Sequence, residues 1–195
     1  MHGLINCAIQ SFFCHTYSQD RWQRVLRHVG QDVSGFEAML LYDDSVTFDV
    51  LAGACAELGR NQAEVLEDIG TFIVSHPGLE AVRRLLRFAG VNYVDFLHSL
   101  DDLPDRVRLA VADLYLPVLE LREHTAGLYS LTCGPGLPGF GSVMIGVLRA
   151  MADDYGALVM LDHRGHHDGC EVISIALVES AYSEGRGFDL GARSA

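Results

Sequence analysis

Within eight residues the stretch HRGHHDGC gathers His163, His166, His167 and Cys170. Imidazole nitrogens and a thiolate at short spacing in a turn are zinc ligands, and Cys133 would add a fourth donor if neighbouring strands bring it close. A strong zinc signature has two paired ligand sets, whereas this chain has one cluster. A polar hairpin turn that contains histidines accounts for the pattern equally well. The five cysteines, Cys7, Cys14, Cys55, Cys133 and Cys170, are odd in number and form no CxxC. They read as reduced thiols of a cytoplasmic protein. There is no P-loop, nucleophile elbow or HExxH. GPGLPGFG is glycine-rich but lacks the preceding parallel-strand unit that nucleotide binding needs. The pairs Asp43-Asp44, Asp101-Asp102 and Asp153-Asp154 read as solvated faces and helix ends. The chain is therefore not expected to be an enzyme.

These residues sit in a chain of 195 residues, 49% hydrophobic and 21% charged. That is enough for one domain with a substantial core. A formal net charge of −12 argues against nucleic acid and anionic membranes, because either partner needs a basic patch. No Lys or Arg precedes Arg21, so a secretory signal peptide is not expected. No apolar run approaches the roughly 20 residues of a membrane span.

The periodicity predicts helices over Met1–Tyr17 and Gln19–Val29, the second stopping at Gly30 before a GQDVSGF loop. Another runs from the caps at 42–45 to Leu58 and Gly59. Asn61 and Glu64 stand three apart like a capping box for a helix to about Ser75, closed by Pro77. Leu79–Phe88 follows, with Arg83, Arg84 and Arg87 on its polar side. After Pro117, VLELRE and GLYSLTC read as a hairpin, Val143–Tyr155 as a helix, and ALVMLDH and CEVISIALVE as two more strands. An all-helical half followed by strand–strand–helix–strand–strand implies an α+β fold, an antiparallel sheet with a helix packed on it. One domain is expected over 1–180, helical to about 116 and strand-rich over 117–180, with a flexible tail over 181–195.

The two halves meet in Asn92–Pro117. Asn92 is a good N-cap and Asp95 falls in the first turn. Leu97, Leu100, Leu103, Val107 and Val111 recur at helical spacing, but Pro104 interrupts them. The helix is expected to end near Leu103 and to restart with Pro104 at its first position, Asp105 at the new positive end.

MHGLINCAI at the start, LLRFAG at 85–90, DFLHSLDDL at 95–103 and Pro117 together resemble the H-NOX family of heme-nitric oxide/oxygen binding sensors, across most of 1–179. The resemblance implies heme binding, gas sensing and signal transduction, as in bacterial-type sensors that contact a separate histidine kinase or cyclic-dinucleotide enzyme. It places Ile5, Ile9, Ile73 and Val74 on the distal wall of a heme pocket and Pro117 against the macrocycle. It places the proximal histidine at position 104, where this chain has Pro104. His98 is the nearest histidine, yet six helical residues put it about 120° off that face. The family's Tyr-x-Ser-x-Arg propionate motif falls on Ser130, Thr132 and Gly134, or on Cys133, Pro135 and Leu137. Neither alignment supplies the tyrosine or the arginine fork that pairs with a carboxylate. These residues favour a heme-independent regulatory module that keeps the fold. The alternatives are a heme sensor with ligation moved to His98, or a zinc-stabilised interaction module.

Overall fold

The computed structural model describes residues 1–30, 35–88 and 90–187. Part of the GQDVSGF loop, 31–34, and the last tail residues, 188–195, lie outside them. Five helices form the first half: α1 (Gly3–Thr16), α2 (Gln19–Val29), α3 (Asp44–Leu58), α4 (Gln62–Ser75) and α5 (Glu80–Arg87). Their ends follow the local chemistry. Ser18 Oγ accepts from Arg21 N–H and Asn61 Oδ1 from Glu64 N–H, so each offsets a donor the helix leaves open. Gly30 and Gly59 close α2 and α3 in the left-handed conformation, which glycine reaches without a Cβ clash.

The junction contains α6 (Tyr93–His98) and α7 (Leu103–Ala110). Asn92 caps α6 by accepting from Asp95 N–H at 2.9 Å. The expected break lies earlier than Pro104. α6 stops at His98, 99–102 form turns, and Asp102 is the N-cap of α7, with Pro104 one residue inside the new helix. A proline in the first turn gives up only a donor that has no intrahelical partner. Leu100 and Leu103 remain buried across the break, so the core holds both short helices despite it.

The second half is β1 (Leu119–Thr125), β2 (Leu128–Cys133), α8 (Phe140–Tyr155), β3 (Leu158–His167) and β4 (Cys170–Glu179). The sheet is antiparallel throughout, in the order β1-β2-β4-β3. α8 begins three residues before Val143, and β3 runs through the histidines to His167. Only Asp168 and Gly169, both at positive φ, make the turn between β3 and β4.

Two apolar cores result. Ile9, Phe12, Phe13, Trp22, Val50 and Val65 fill the helical half. Leu97, Leu100, Leu131, Leu148, Ile173 and Ile175 fill the space between α6, α8 and the sheet. α4 and α8 join them at a close crossing, where a Cβ on Gly146 would sit 2.7 Å from Thr71 N and press on the Glu67 carbonyl. Arg83 and Arg87, expected on the polar side of α5, do not face water. They turn inward to Asp154, which is 1% exposed and so is no solvated helix end either. Nor is all of the tail loose. Tyr182 and Ser183 N–H donate to the Gly156 carbonyl and Arg186 N–H to that of Asp154, which docks 181–187 on the end of α8. Among the described residues no helix is long and apolar enough to cross a membrane.

Candidate functional site

Between the start of α1 and the connection from α7 to β1 lies a cleft of about 330 Å³. His2 and Ile5 line one side, with Leu41 and Asp44 from the approach to α3. Asp113 to Pro117 line the other, and Pro135, Gly136 and Leu137 close one end. A backbone bridge between His2 and Leu41 fixes the first wall. The second wall is chain without helix or strand, from a turn at Asp113 to the buried Pro117. The proline ring supplies apolar surface there. This is where the family resemblance puts a macrocycle, because Ile5 and Pro117 both face the cleft.

The other pocket positions do not. Ile9 is sealed among Phe12 and Phe13 in the helical core, and Ile73 packs at that core's margin. Val74 belongs to the core against the sheet. The expected distal wall is thus divided between two packed interiors, and close-packed side chains occupy the space behind Ile5.

Pro104 is half-buried near the start of α7 and does not line the cleft. A proline there offers neither an N–H nor a side-chain donor. His98 does not replace it. Its side chain is 53% exposed, 3.9 Å from Glu123 Oε2, with its ring edge-on to Tyr129. Because α6 ends at His98, the imidazole leaves on the side of β1 and β2. Of the propionate positions, Ser130 Oγ pairs with His124 Nε2 at 2.8 Å, and the Cys133 thiol is buried under the sheet. Pro135 and Leu137 reach the cleft but carry no charge. The charged side chains that do line it are the carboxylates Asp44 and Asp113, and no arginine is among its lining residues. The Met1 ammonium holds Asp44 at 2.6 Å, so a dianionic heme edge would meet the Asp113 carboxylate and no guanidinium fork. The residues present do not fit heme.

The histidine cluster divides, two members turning to Glu171 and one away. His163 Nε2 lies 2.9 Å from Glu171 Oε2 and His166 Nε2 lies 3.8 Å from the same oxygen, while His167 pairs with Asp168. Among the described residues no group of three or more metal-ligating side chains converges. The bulge between His163 and His166 brings their rings to 5.5 Å on the side of Glu171, while His167, next along the pleated strand, turns away to Asp168. Glu171 is the residue that organises this corner. It is 5% exposed and its Oε1 accepts from Gly139 N–H at 2.8 Å, at the start of α8. Burial, with Glu171 and Cys170 nearby, pushes the Cys133 thiol up to about 12. The thiolate is the reactive form. Iodoacetamide at pH 8 should therefore leave Cys133 unmodified in the folded protein while half-buried Cys170 reacts, as read by mass spectrometry. Equal labelling of the two would show that the inner face of the sheet opens.

A second cleft, about 470 Å³, lies between α2 and α3 and is lined by Arg24, Arg27, His28 and Glu57. Arg24 is bound to Glu57 at 2.7 Å, and Arg27 and His28 occupy the last turn of α2, where they offset its exposed carbonyls. None of the expected pocket positions reaches it.

The helical half on an antiparallel sheet, with a cleft at their seam, is an H-NOX-type α+β fold. The family model described as haem-NO-binding matches residues 2–163. The chain belongs to that family, one of heme-based gas sensors whose domains are sensor modules. It is 21% identical over 160 residues to soluble guanylate cyclase 89Db of Drosophila melanogaster, a match covering 82% of this chain and 24% of that protein. It thus spans about a quarter of that relative's length. Among solved structures, a Cs H-NOX mutant carrying 4-cyano-L-phenylalanine at site 5 superposes with a TM-score of 0.76 at 15% identity, covering 94% of this chain and 100% of that one. The S. oneidensis H-NOX protein in its Fe(II)NO state gives 0.73 at 16%, covering 91% and 99%. At these identities the likeness is one of fold.

Proposed function

We propose that this chain is a regulatory module of the H-NOX family that works without heme and acts by contacting a separate signalling enzyme, a histidine kinase or a cyclic-dinucleotide enzyme. The observation that carries the reading is the proline at the ligand position, with the nearest histidine, His98, turned to the surface beside Glu123. The carboxylates of the seam cleft point the same way. The module is one domain over 1–180, cytoplasmic and without catalysis of its own.

The test is heme titration of the purified protein. Parent protein should give no stoichiometric Soret band that survives gel filtration. Pro104→His should not give one either. It supplies an imidazole but no partner for the propionates, and enlarging a packed interior costs roughly 1–3 kcal/mol. A one-to-one, five-coordinate complex in the parent, lost in His98→Ala, would replace this reading with a sensor ligated by His98.

A further inference from the structure

The seam cleft remains once heme is set aside, and its chemistry is specific. Its walls are mixed: Ile5 and Leu41 on one side, Leu114, Leu116 and Pro117 on the other and Leu137 at the end are apolar, and Met1, His2, Asp44 and Asp113 stand among them. Leu41 and Tyr115 are each 72% exposed at its mouth. Two bulky apolar side chains held in water beside the cleft extend its apolar surface. At about 330 Å³ it lies at the small end of the roughly 300–1,000 Å³ of small-molecule sites.

The polar groups are few. His2 is 94% buried, being 6% exposed, and its Nδ1 accepts from Leu4 N–H at 3.2 Å. Nε2 is the nitrogen left to serve the cleft, and no partner for it stands among the described residues. Asp44 is bound to the Met1 nitrogen at 2.6 Å. Asp113 is exposed at the opposite rim, with no cation against it among the described residues. The cleft therefore offers an apolar slot with a carboxylate at its rim, in a chain of net charge −12. That electrostatic field draws cations and repels anions.

We propose that the seam cleft binds a small amphiphilic cation, its hydrocarbon body between Ile5, Leu116 and Leu137 and its charged end at Asp113. This rests on the heme-free reading above and names the ligand class of the same site. The ligand's position also gives it an effect. It touches α1 of the helical half and the 113–117 connection of the sheet half at once, so it favours whichever arrangement of the two holds both walls at contact distance.

The probe is n-octylamine, protonated at pH 7, titrated into the purified 195-residue chain beside 1-octanol and octanoate and followed by methyl NMR. Octylamine should shift the Ile5, Leu116 and Leu137 methyls saturably, with octanol weaker and octanoate weakest. Asp113→Asn should weaken octylamine about threefold, the size expected of an exposed ion pair, and leave octanol unchanged. Asp105→Asn, at an exposed carboxylate paired with Arg108, should change neither. Octanoate binding as well as octylamine, an unchanged affinity in Asp113→Asn, or methyl shifts absent at saturating probe would each overturn the proposal. A colourless protein that ignores octylamine fails the ligand class and leaves the heme-free reading standing. Stoichiometric heme uptake fails that reading, and the proposal with it.

Discussion

Gly146→Ala should lower stability by roughly 2 kcal/mol or more, although alanine is the better helix former. In a helix interior alanine gains roughly 1 kcal/mol over glycine. Against that stands the crossing of α4 and α8. The new methyl would sit 2.7 Å from Thr71 N and 2.9 Å from the Glu67 carbonyl carbon. Those atoms belong to helical backbone, so no rotamer change relieves the contact and the two helices must separate. Overpacking of this kind costs roughly 1–3 kcal/mol, occasionally more. The cost goes to the high end here because the same crossing is tight in reverse: a Cβ on Gly70 would lie 3.0 Å from the Val143 carbonyl carbon. Gly53→Ala is the control. It sits in α3, gains the same propensity, and the nearest neighbours of its methyl are the Val29 and Val25 side chains and the Val25 carbonyl, at 3.0–3.4 Å. It should stay within about 1 kcal/mol of the parent. Urea melts would show the Gly146 variant with a lower midpoint and unchanged slope. Equal midpoints for the two variants would mean that α4 and α8 do not cross this closely.

Much of the fold was legible because local chemistry and long-range packing agree. Gly30, Gly59, Asn61 and Asn92 end or begin helices where their residue types predict. The α+β order of elements follows from the change of period after Pro117. The family was legible in three short strings and Pro117, which composition alone would not have singled out. What escaped was decided by partners distant in sequence. Asn92 marked the start of α6, but its end at His98 depends on Leu97, Leu100 and Leu103 all reaching the sheet core. A continuous helix would not aim them there. Glu171 left a signal that could have been used: in CEVISIALVE it alternates with Ile173 and Ile175, so period two already placed a carboxylate on the buried face. The histidines before it suggested metal, yet His163 and His166 turn to that carboxylate and His167 to Asp168. Of the six positions expected to shape a heme pocket beside Pro104, only Ile5 and Pro117 face the cleft. Apolar residue types could not have shown this, because Ile9 and Val74 serve a packed core as well as they would serve a cofactor.

Asp154→Ala should be the most damaging single substitution, costing roughly 3–5 kcal/mol. The sequence shows only an acidic pair near the end of α8. In the folded chain Arg83 Nη2 lies 2.7 Å and Arg87 Nε 3.5 Å from its two oxygens, and the arginine side chains are only 16% and 13% exposed. Water therefore cannot fully replace the carboxylate they share, which is why removing one member of a buried cluster costs more than the cluster contributes as a whole. The damage extends beyond α5. Arg87 lies over the Tyr155 ring at 4.0 Å, and the Tyr155 hydroxyl donates to the Gly90 carbonyl. Arg83 also donates to the Gly187 carbonyl at 3.3 Å. Two consequences can be measured separately. Denaturant melts of Asp154→Ala, Arg83→Met and the double variant should show a coupling of roughly 1–3 kcal/mol between the two sites. Trypsin should cut after Arg186 faster in Asp154→Ala than in the parent, because the arginine that holds the tail has lost its anchor. Additive melts with unchanged cleavage would mean that Asp154 is a buried charge tolerated alone rather than the clasp joining α5, α8 and the tail.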